Sequence, residues 1–500
     1  MTAEAARAAL RSDAYTVLVE APAGTGKTYE AVDVALDLAN ALPDRREILL
    51  LAHTNAAVDE FRSRSRAAKA PVRATTFDAL ATELLAPYAR TLGLGYPLRP
   101  QPEGSKIPGG TPFPLLVPTL VKLFQRSPAL AAALAGHYPW VICDEHQDAS
   151  EAQQELVDLL ASHGARVRYF GDPMQAIYDF DGQVLVDWTS LAGRTQLVEE
   201  LALPKRWKDA PELGRWLLDA RIALRDGRRI PAAPACVMIE RVAGFSDKSL
   251  ANPNRTAPVM EIKEALNSAV RGKGGSVGVL TYTGAHRRGL QALLWRFEMF
   301  EGTDMHQAHE AVYAAAQADG DARALILVAV DLLALCCSGF NREVLGQIGR
   351  ACTSTGVRTA KIAKGAAPIV DRLRPLYEKP TLTTWCQVVG GFIYAPADVR
   401  PVMLSTLRAI GRLGRTSATY EQFAEQTGGS RRRTELPTRG VYTIHAAKGR
   451  EFDHVVLAHC GARLFPDEPA TRKLLYVALS RARLTVHVLA PSDAPSPLLP

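Results

Sequence analysis

Gly24, Gly26, Lys27 and Thr28 stand close together in the stretch VEAPAGTGKTYE. The spacing fits G-x-x-x-x-G-K-[ST] with Ala21 in the first glycine's place. Glycines lack a Cβ, so the backbone N–H groups of a loop running from Ala21 through Gly24, Thr25 and Gly26 can close around phosphate oxygens. Lys27 would reach the β- and γ-phosphates of a nucleotide, and the Thr28 hydroxyl is a hard oxygen ligand for Mg2+. Such a loop also needs carboxylates for the metal and for the attacking water. WVICDEHQDAS supplies them: Asp144 to hold Mg2+, directly or through water, and Glu145 to polarise the water as general base. Each piece alone has a bland reading, as a glycine turn or as paired acids on a solvated loop.

The flanking elements argue against the bland readings. Residues 15–21, YTVLVEA, form a short apolar run that reads as a buried strand, and YEAVDVALDLANAL after the loop has helical apolar spacing. Strand, glycine loop and helix is the context that the motif demands. Trp140–Cys143 reads as a second buried strand, with the acids at its C-terminal edge. Further along, GSVGVLTYTGAHRRGL reads as strand then helix, and ALILVAVDLLALCC and VRPVMLSTLRAIGRL as helices.

A chain of 500 residues is too long for one compact domain and suggests three or four. The 47% hydrophobic content is ample for real cores. A net charge of +7 is either ordinary surface variation or attraction to a polyanion such as nucleic acid. The seven cysteines form no CxxC pair and no histidine cluster accompanies them, which argues against disulfides and structural zinc and for a reducing, cytoplasmic setting. MTAEAARAALRSD has no apolar core of a signal peptide, and no apolar run reaches membrane-spanning length, so no membrane is expected.

DEHQD resembles motif II of superfamily 1A helicases of the UvrD/Rep type, and other stretches resemble that family's motifs in family order. ILLLAHTNAAVDEFRSR is similar to motif Ia, TTFDAL to Ib, FGDPMQAIYDFDGQ to III and LPKRWKDAPEL to IV. YTIHAAKGREFDHVV and KLLYVALSRAR are close matches to V and VI. The resemblance implies an α/β fold: two RecA-like P-loop domains, parallel sheets flanked by helices, with two mainly helical insertions. Residues 1–87 with 136–194 would form the first domain (1A), and 88–135 a short 1B-like insertion. Residues 195–298 with 435–490 would form the second (2A), 299–434 a helical 2B-like insertion, and 491–500 a loose tail. No nuclease module like that of RecB relatives is expected.

The resemblance also assigns roles. Gln175 would sense the γ-phosphate, since its amide can donate to phosphate and accept from water. Arg481 would be an arginine finger, with Arg483 as the competitor. Motif IV departs from its usual Asn-Tyr-Arg and reads Arg206-Trp207-Lys208. Alignment puts Lys208 at the phosphate, but Arg206 stands close enough to replace it, and a lysine cannot fork onto phosphate oxygens. Gly449 and Glu451 of motif V would lie at the nucleotide. The family's base-reading glutamine is missing: it should fall near Ala5 or Ala6, and no glutamine precedes Gln101. Tyr29 and Trp207 remain to stack on the purine, so weak discrimination between ATP and GTP is expected.

His53, Thr54 and Asn55 of motif Ia, Thr76 and Phe77 of Ib, Tyr178 and Phe180 of III, and His445 of V would meet the polynucleotide. Tyr178 and Phe180 could instead be core packing. The implied activity is ATP-dependent, Mg2+-dependent translocation on single-stranded DNA, 3′ to 5′, with duplex unwinding at single-strand/double-strand junctions. Two other readings stay open. One is a nucleotide-gated DNA-sensing subunit that regulates a protein partner, a nuclease or a defence or repair factor, as in Gabija-type phage defence. The other is an RNA helicase.

Overall fold

Ile48–Ala52 reads ILLLA and is buried along its whole length, so it needs cover on both faces. A computed structural model supplies that cover. It describes residues 3–43, 46–53, 55–178, 184–201, 204–243, 250, 259–294, 297–300, 304–338, 367–395, 399–415, 418–428 and 438–500. Among these, two compact units are distinguished, Met1–Arg241 with Ala447–Pro500, and Val242–Ala446.

The first unit holds a six-stranded sheet ordered Val72–Thr76, Ile48–Ala52, Trp140–Cys143, Arg166–Gly171, Thr16–Glu20 and Leu197–Glu200. Every neighbouring pair is parallel. Side chains alternate across the sheet. Val17 and Val19 join Ile48, Leu50, Ile142 and Phe170 on one face. Leu18 joins Leu49, Leu51, Val141, Val167 and Tyr169 on the other. Helices Lys27–Asn40 and Phe113–Arg126 cover opposite faces.

Helix Phe113–Arg126 lies in the stretch expected as a short insertion. Its Leu116, Leu120 and Phe124 are core residues of the first sheet. Leu197–Glu200 lies just past the boundary expected at residue 194, yet it is the edge strand of the same sheet, in register with Val17–Glu20. The unit also carries parallel strands Phe452–Leu457 and Ala482–Pro491 and helices Pro211–Arg225 and Pro469–Leu479. The last ten residues are not the loose tail expected. Leu498 and Leu499 are buried, Ile230 N donates to Leu498 O at 2.9 Å, and Ser496 Oγ donates to Phe465 O at 2.7 Å. Apolar residues near the chain end found a core to enter, which composition alone hid.

The second unit has parallel strands Glu298–Phe300, Arg439–Thr443 and Val277–Thr281 and a helical body. Ala322–Cys336, Leu382–Gly390 and Leu404–Leu413 enclose the body's core around Trp385, whose indole N–H donates to Leu325 O at 3.1 Å. Among the described residues no helix is long and apolar enough to cross a membrane.

One buried cation ties the first helix to the sheet. Arg168 donates to Leu10 O (2.7 Å), Ser12 O (2.7 Å), Ala14 O (2.9 Å) and Val167 O (3.0 Å), so it caps the C-terminal end of Ala3–Arg11. Its guanidinium lies 4.5 Å from the Trp140 ring centroid. Burial pulls its pKa down to about 10, and the bonds to carbonyls keep the charge tolerable. Arg168→Met leaves those carbonyls without a donor and is expected to cost on the order of 3 kcal/mol. Thermal and urea unfolding of the variant measure it; an unchanged midpoint refutes the capping role.

Candidate nucleotide site

Three neighbouring strands of the first sheet, Trp140–Cys143, Arg166–Gly171 and Thr16–Glu20, end on the same edge, and parallel sheets put ligands at their carboxyl ends. Each delivers a loop: Asp144-Glu145, Asp172 to Gln175, and the glycine loop. In the glycine loop Gly24 (φ +73°) and Gly26 (φ +86°) take the left-handed conformation. Gly26 caps Lys27–Asn40, whose N-terminus favours an anion. Ala21 N donates to Gly171 O at 2.8 Å, Thr25 Oγ1 to Pro22 O at 2.8 Å, and Ala23 N to the Tyr476 hydroxyl at 3.0 Å.

Lys27 Nζ lies 2.8 Å from Glu145 Oε2, and Thr28 Oγ1 donates to Asp144 Oδ2 at 3.3 Å. Glu145 has φ +52°, unusual for a residue with a Cβ, which turns its carboxylate toward the lysine. Gln147 Nε2 also donates to Glu145 Oε2, at 2.6 Å. Burial, then the neighbouring Glu145, push the Asp144 carboxyl well above its ordinary range. Burial pushes Glu145 the same way, but Lys27 and Lys448 outweigh it and hold its carboxylate low. Asp144 Oδ1 is buried and accepts no hydrogen bond. An orphaned carboxylate oxygen beside a threonine hydroxyl is a donor set that suits Mg2+.

The third loop is locked from both sides. Asp172 accepts from Met174 N (3.1 Å) and from Gln175 Nε2 (2.9 Å). Buried Arg481 donates to Gln175 Oε1 (3.0 Å), Val477 O (3.0 Å) and Ser480 Oγ (3.0 Å). Burial, then Arg206, lower the Arg481 pKa to about 10. Arg483 is half exposed, 3.6 Å from Asp453. In motif IV, Arg206 faces inward: it donates to Ser480 O at 2.6 Å and pairs with Glu451 at 2.7 Å. Lys208 is exposed.

Trp207, expected on a purine face, is buried. Its indole N–H donates to Ala482 O at 2.7 Å, and a Cβ on Gly24 would stand 2.7 Å from its ring. The packing demand of that aromatic ring won over exposure, so the ring lies on the glycine loop. Tyr29 is 53% exposed, with the cations of Lys205 at 5.0 Å and Arg64 at 5.3 Å from its ring centroid. Gly449 is exposed with φ +76°.

The polynucleotide candidates scatter more. Thr54 and Phe180 lie outside the described residues, and Asn55 begins helix Asn55–Ala68. Phe77, expected at the strand track, is 1% exposed: it packs with Leu49 and Leu80, since an aromatic ring at a strand-to-helix junction is most stable in the core. Thr76 caps Phe77–Leu85 by accepting from Ala79 N at 3.1 Å. His53 sits 5.2 Å from the Phe77 ring, and burial drives its pKa down to about 3, so it stays neutral. Tyr178 is half-buried, 4.7 Å from Lys448 Nζ. His445 belongs to the second unit, in Ile444–Ala447.

Sequence reasoning gave no role to Tyr476, Lys448, Glu30 or Arg221. Lys448 pairs with Asp148 and donates to Gln175 O. Buried Glu30 pairs with Arg7 and Lys205, each at 2.6 Å. Tyr476 and Lys448 stand inside the quoted motif stretches. Arg221 was signalled only by a cation within the apolar run WLLDARIAL.

Residues 2–181 match the AAA domain family, and residues 441–489 match the UvrD-like helicase C-terminal domain. A stretch of 70 residues is 36% identical to the ATP-dependent DNA helicase PcrA of Staphylococcus aureus, in strains Mu50, NCTC 8325 and COL alike. It covers 14% of this chain and 10% of those relatives. With both domain matches in order and the glycine loop, acids, Gln175 and Arg481 gathered at one sheet edge, the chain is similar to UvrD-like, superfamily 1A helicases.

Proposed function

We propose that the chain hydrolyses ATP with Mg2+ and uses the cycle to translocate 3′ to 5′ along single-stranded DNA, unwinding duplex at junctions. The observation that carries this reading is the Lys27–Glu145 pair at 2.8 Å, with Asp144 and Thr28 on one side and Gln175 and Arg481 on the other. Phosphate oxygens compete with Glu145 for Lys27. When Lys27 turns to the β- and γ-phosphates, Glu145 is released to accept a proton from the attacking water. Mg2+ held by Thr28 and Asp144 would neutralise charge on the phosphate oxygens. Gln175 orients the water, and Arg481 neutralises charge that develops on the γ-phosphoryl group. Arg206, inward and forked, serves as the second phosphate contact in place of Lys208.

Polarity rests on the family resemblance alone, and unwinding on that resemblance and on the helicase activity named for the PcrA relatives. A second reading, a DNA-sensing subunit that regulates a partner, draws on one observation: helix Phe113–Arg126 of the expected 1B insertion is spent in the first sheet's core. Strand displacement measured beside DNA-stimulated ATPase separates the two. Stimulated hydrolysis without displacement favours the second.

Lys27→Ala, Glu145→Gln and Arg481→Ala should each remove most ATPase, by on the order of a thousandfold for the arginine. Glu145→Gln should still bind nucleotide in equilibrium titration. Full turnover in Glu145→Gln or Arg481→Ala would defeat the assignment. Tyr178→Ala should weaken single-stranded DNA binding by about 1–3 kcal/mol and leave DNA-free ATPase unchanged. An equal loss of folding stability would mark Tyr178 as core. With Trp207 buried, Tyr29 alone is left to stack on the base. Hydrolysis of ATP and GTP should then differ by less than roughly tenfold in kcat/KM, and a hundredfold preference for ATP contradicts this.

A further inference from the structure

Arg221 lies on helix Pro211–Arg225, outside every motif that carries the family resemblance, yet only 2% of its side chain is exposed. Its Nε and Nη2 both donate to Asp172 Oδ1, at 3.1 and 2.9 Å, and Nη2 also reaches Glu20 at the end of the strand before the glycine loop. Asp172 is fully buried, and a buried carboxylate is costly unless a cation and several donors answer it. Arg221 is that cation.

What hangs on Asp172 is the orientation of an amide. A carboxylate only accepts and a guanidinium only donates. Gln175 stands between the two: Asp172 Oδ2 at 2.9 Å from its nitrogen, Arg481 Nη2 at 3.0 Å from its oxygen. Both ends demand the same orientation, NH2 toward Asp172 and carbonyl toward Arg481. If Asp172 presented a donor to Gln175, the amide would have to turn over, and its NH2 would then confront the Arg481 guanidinium, donor against donor.

We propose that Arg221 is a positioning residue for hydrolysis: by keeping Asp172 an acceptor, it fixes which end of the Gln175 amide faces Arg481. The proposal rests on the role read above for Gln175. Its anchor on Glu20 also holds the glycine-loop strand to the Gln175 loop, so both phosphate-facing loops share one cation.

Asp172→Asn/Arg221→Met tests this without leaving a carboxylate at residue 172 as a lone buried charge; Glu20, which also loses Arg221, is 24% exposed to water. Met174 N holds the acceptor oxygen of residue 172 in place at 3.1 Å, so the asparagine's NH2 is left facing Gln175 and forces the inversion. The double variant and Arg221→Met should each lower kcat on the order of a hundredfold, the loss also expected of Gln175→Ala, and by far more than they change the Kd for a non-hydrolysable ATP analogue. Adding Gln175→Ala to either should cost nothing more, because all act through one amide. Arg221→Lys, which keeps the charge but not the fork, should recover part of kcat. If Arg221→Met fails to fold, the double variant, with no charge at residue 172, still decides. Turnover of the double variant within about twofold of the unmodified protein, or losses that multiply with Gln175→Ala, would overturn the proposal. Unchanged turnover in Gln175→Ala alone would remove the reading of Gln175 itself, and the proposal with it.

Discussion

Charge in a dry place must be answered by opposite charge or by a full set of hydrogen bonds, and the edge of the first sheet is organised around that demand. The pair of Lys27 with Glu145 is the centre of it. A buried lysine with no anion is costly; breaking a fully buried pair costs about 3–5 kcal/mol, and this pair, whose glutamate is 32% exposed, costs less. Around it further ions are answered in turn: Lys448 by Asp148, Arg221 by Asp172 and Glu20, Arg206 by Glu451, while Arg481 is held by neutral oxygens. Apolar residues of the same volume would be as stable or more so. The cluster is therefore better explained by what the charges can exchange partners with, the oxygens of a triphosphate, than by stability.

That cluster exists because parallel strands are buried on both faces and release their loops at one edge. Trp140–Cys143 carries four buried residues and then, in the next two positions, both acids. Thr16–Glu20 does the same for the glycine loop, and Arg166–Gly171 for Asp172 and Gln175. Amides stand between the ions. Gln147 accepts from Asp172 N at 3.0 Å and donates to Glu145 at 2.6 Å, so it joins the acid loop to the Gln175 loop. An amide suits that place because it can face an acceptor and a donor at once.

Most of the positioning was legible because it is local. Hydrophobic runs ending in Gly, Lys or paired acids state both the strand and the edge at which it stops, and Trp140–Cys143 has the span read for it. What stayed hidden depends on contacts far apart in sequence. Trp207 looked like a base platform by type and place, but its fate was decided by the bare Cα of Gly24 and the carbonyl of Ala482. Ser496 to Leu499 looked like a loose end until Ile230 N–H met Leu498 O and Phe465 O accepted from Ser496. Arg221 showed only as a cation in an apolar run. Its partners lie 49 and 201 residues away in sequence.

The same long-range contacts say what can move as a unit. Tyr476 accepts from Ala23 of the glycine loop, and Arg481, five residues on, donates to Gln175. Between them in space runs the segment from Lys205 to Trp207, whose N–H groups at Lys205 and Arg206 donate to Gly24 O at 2.6 and 3.0 Å. Its side chains reach Ser480 O and Ala482 O. Residues 476–482 therefore touch the glycine loop directly and through motif IV, and the Asp172–Gln175 loop through Gln175. Drawing them away must break the Tyr476, Arg206, Trp207 and Arg481 bonds together, at about 1 kcal/mol for each neutral bond and more for those made by a guanidinium. A phosphate that recruits Arg481 and Arg206 replaces the charged bonds and leaves the neutral ones, so the free energy of separation depends on what the glycine loop holds. Nucleotide-dependent motion would need such a difference in contacts between two arrangements, and these named bonds are the ones that would differ.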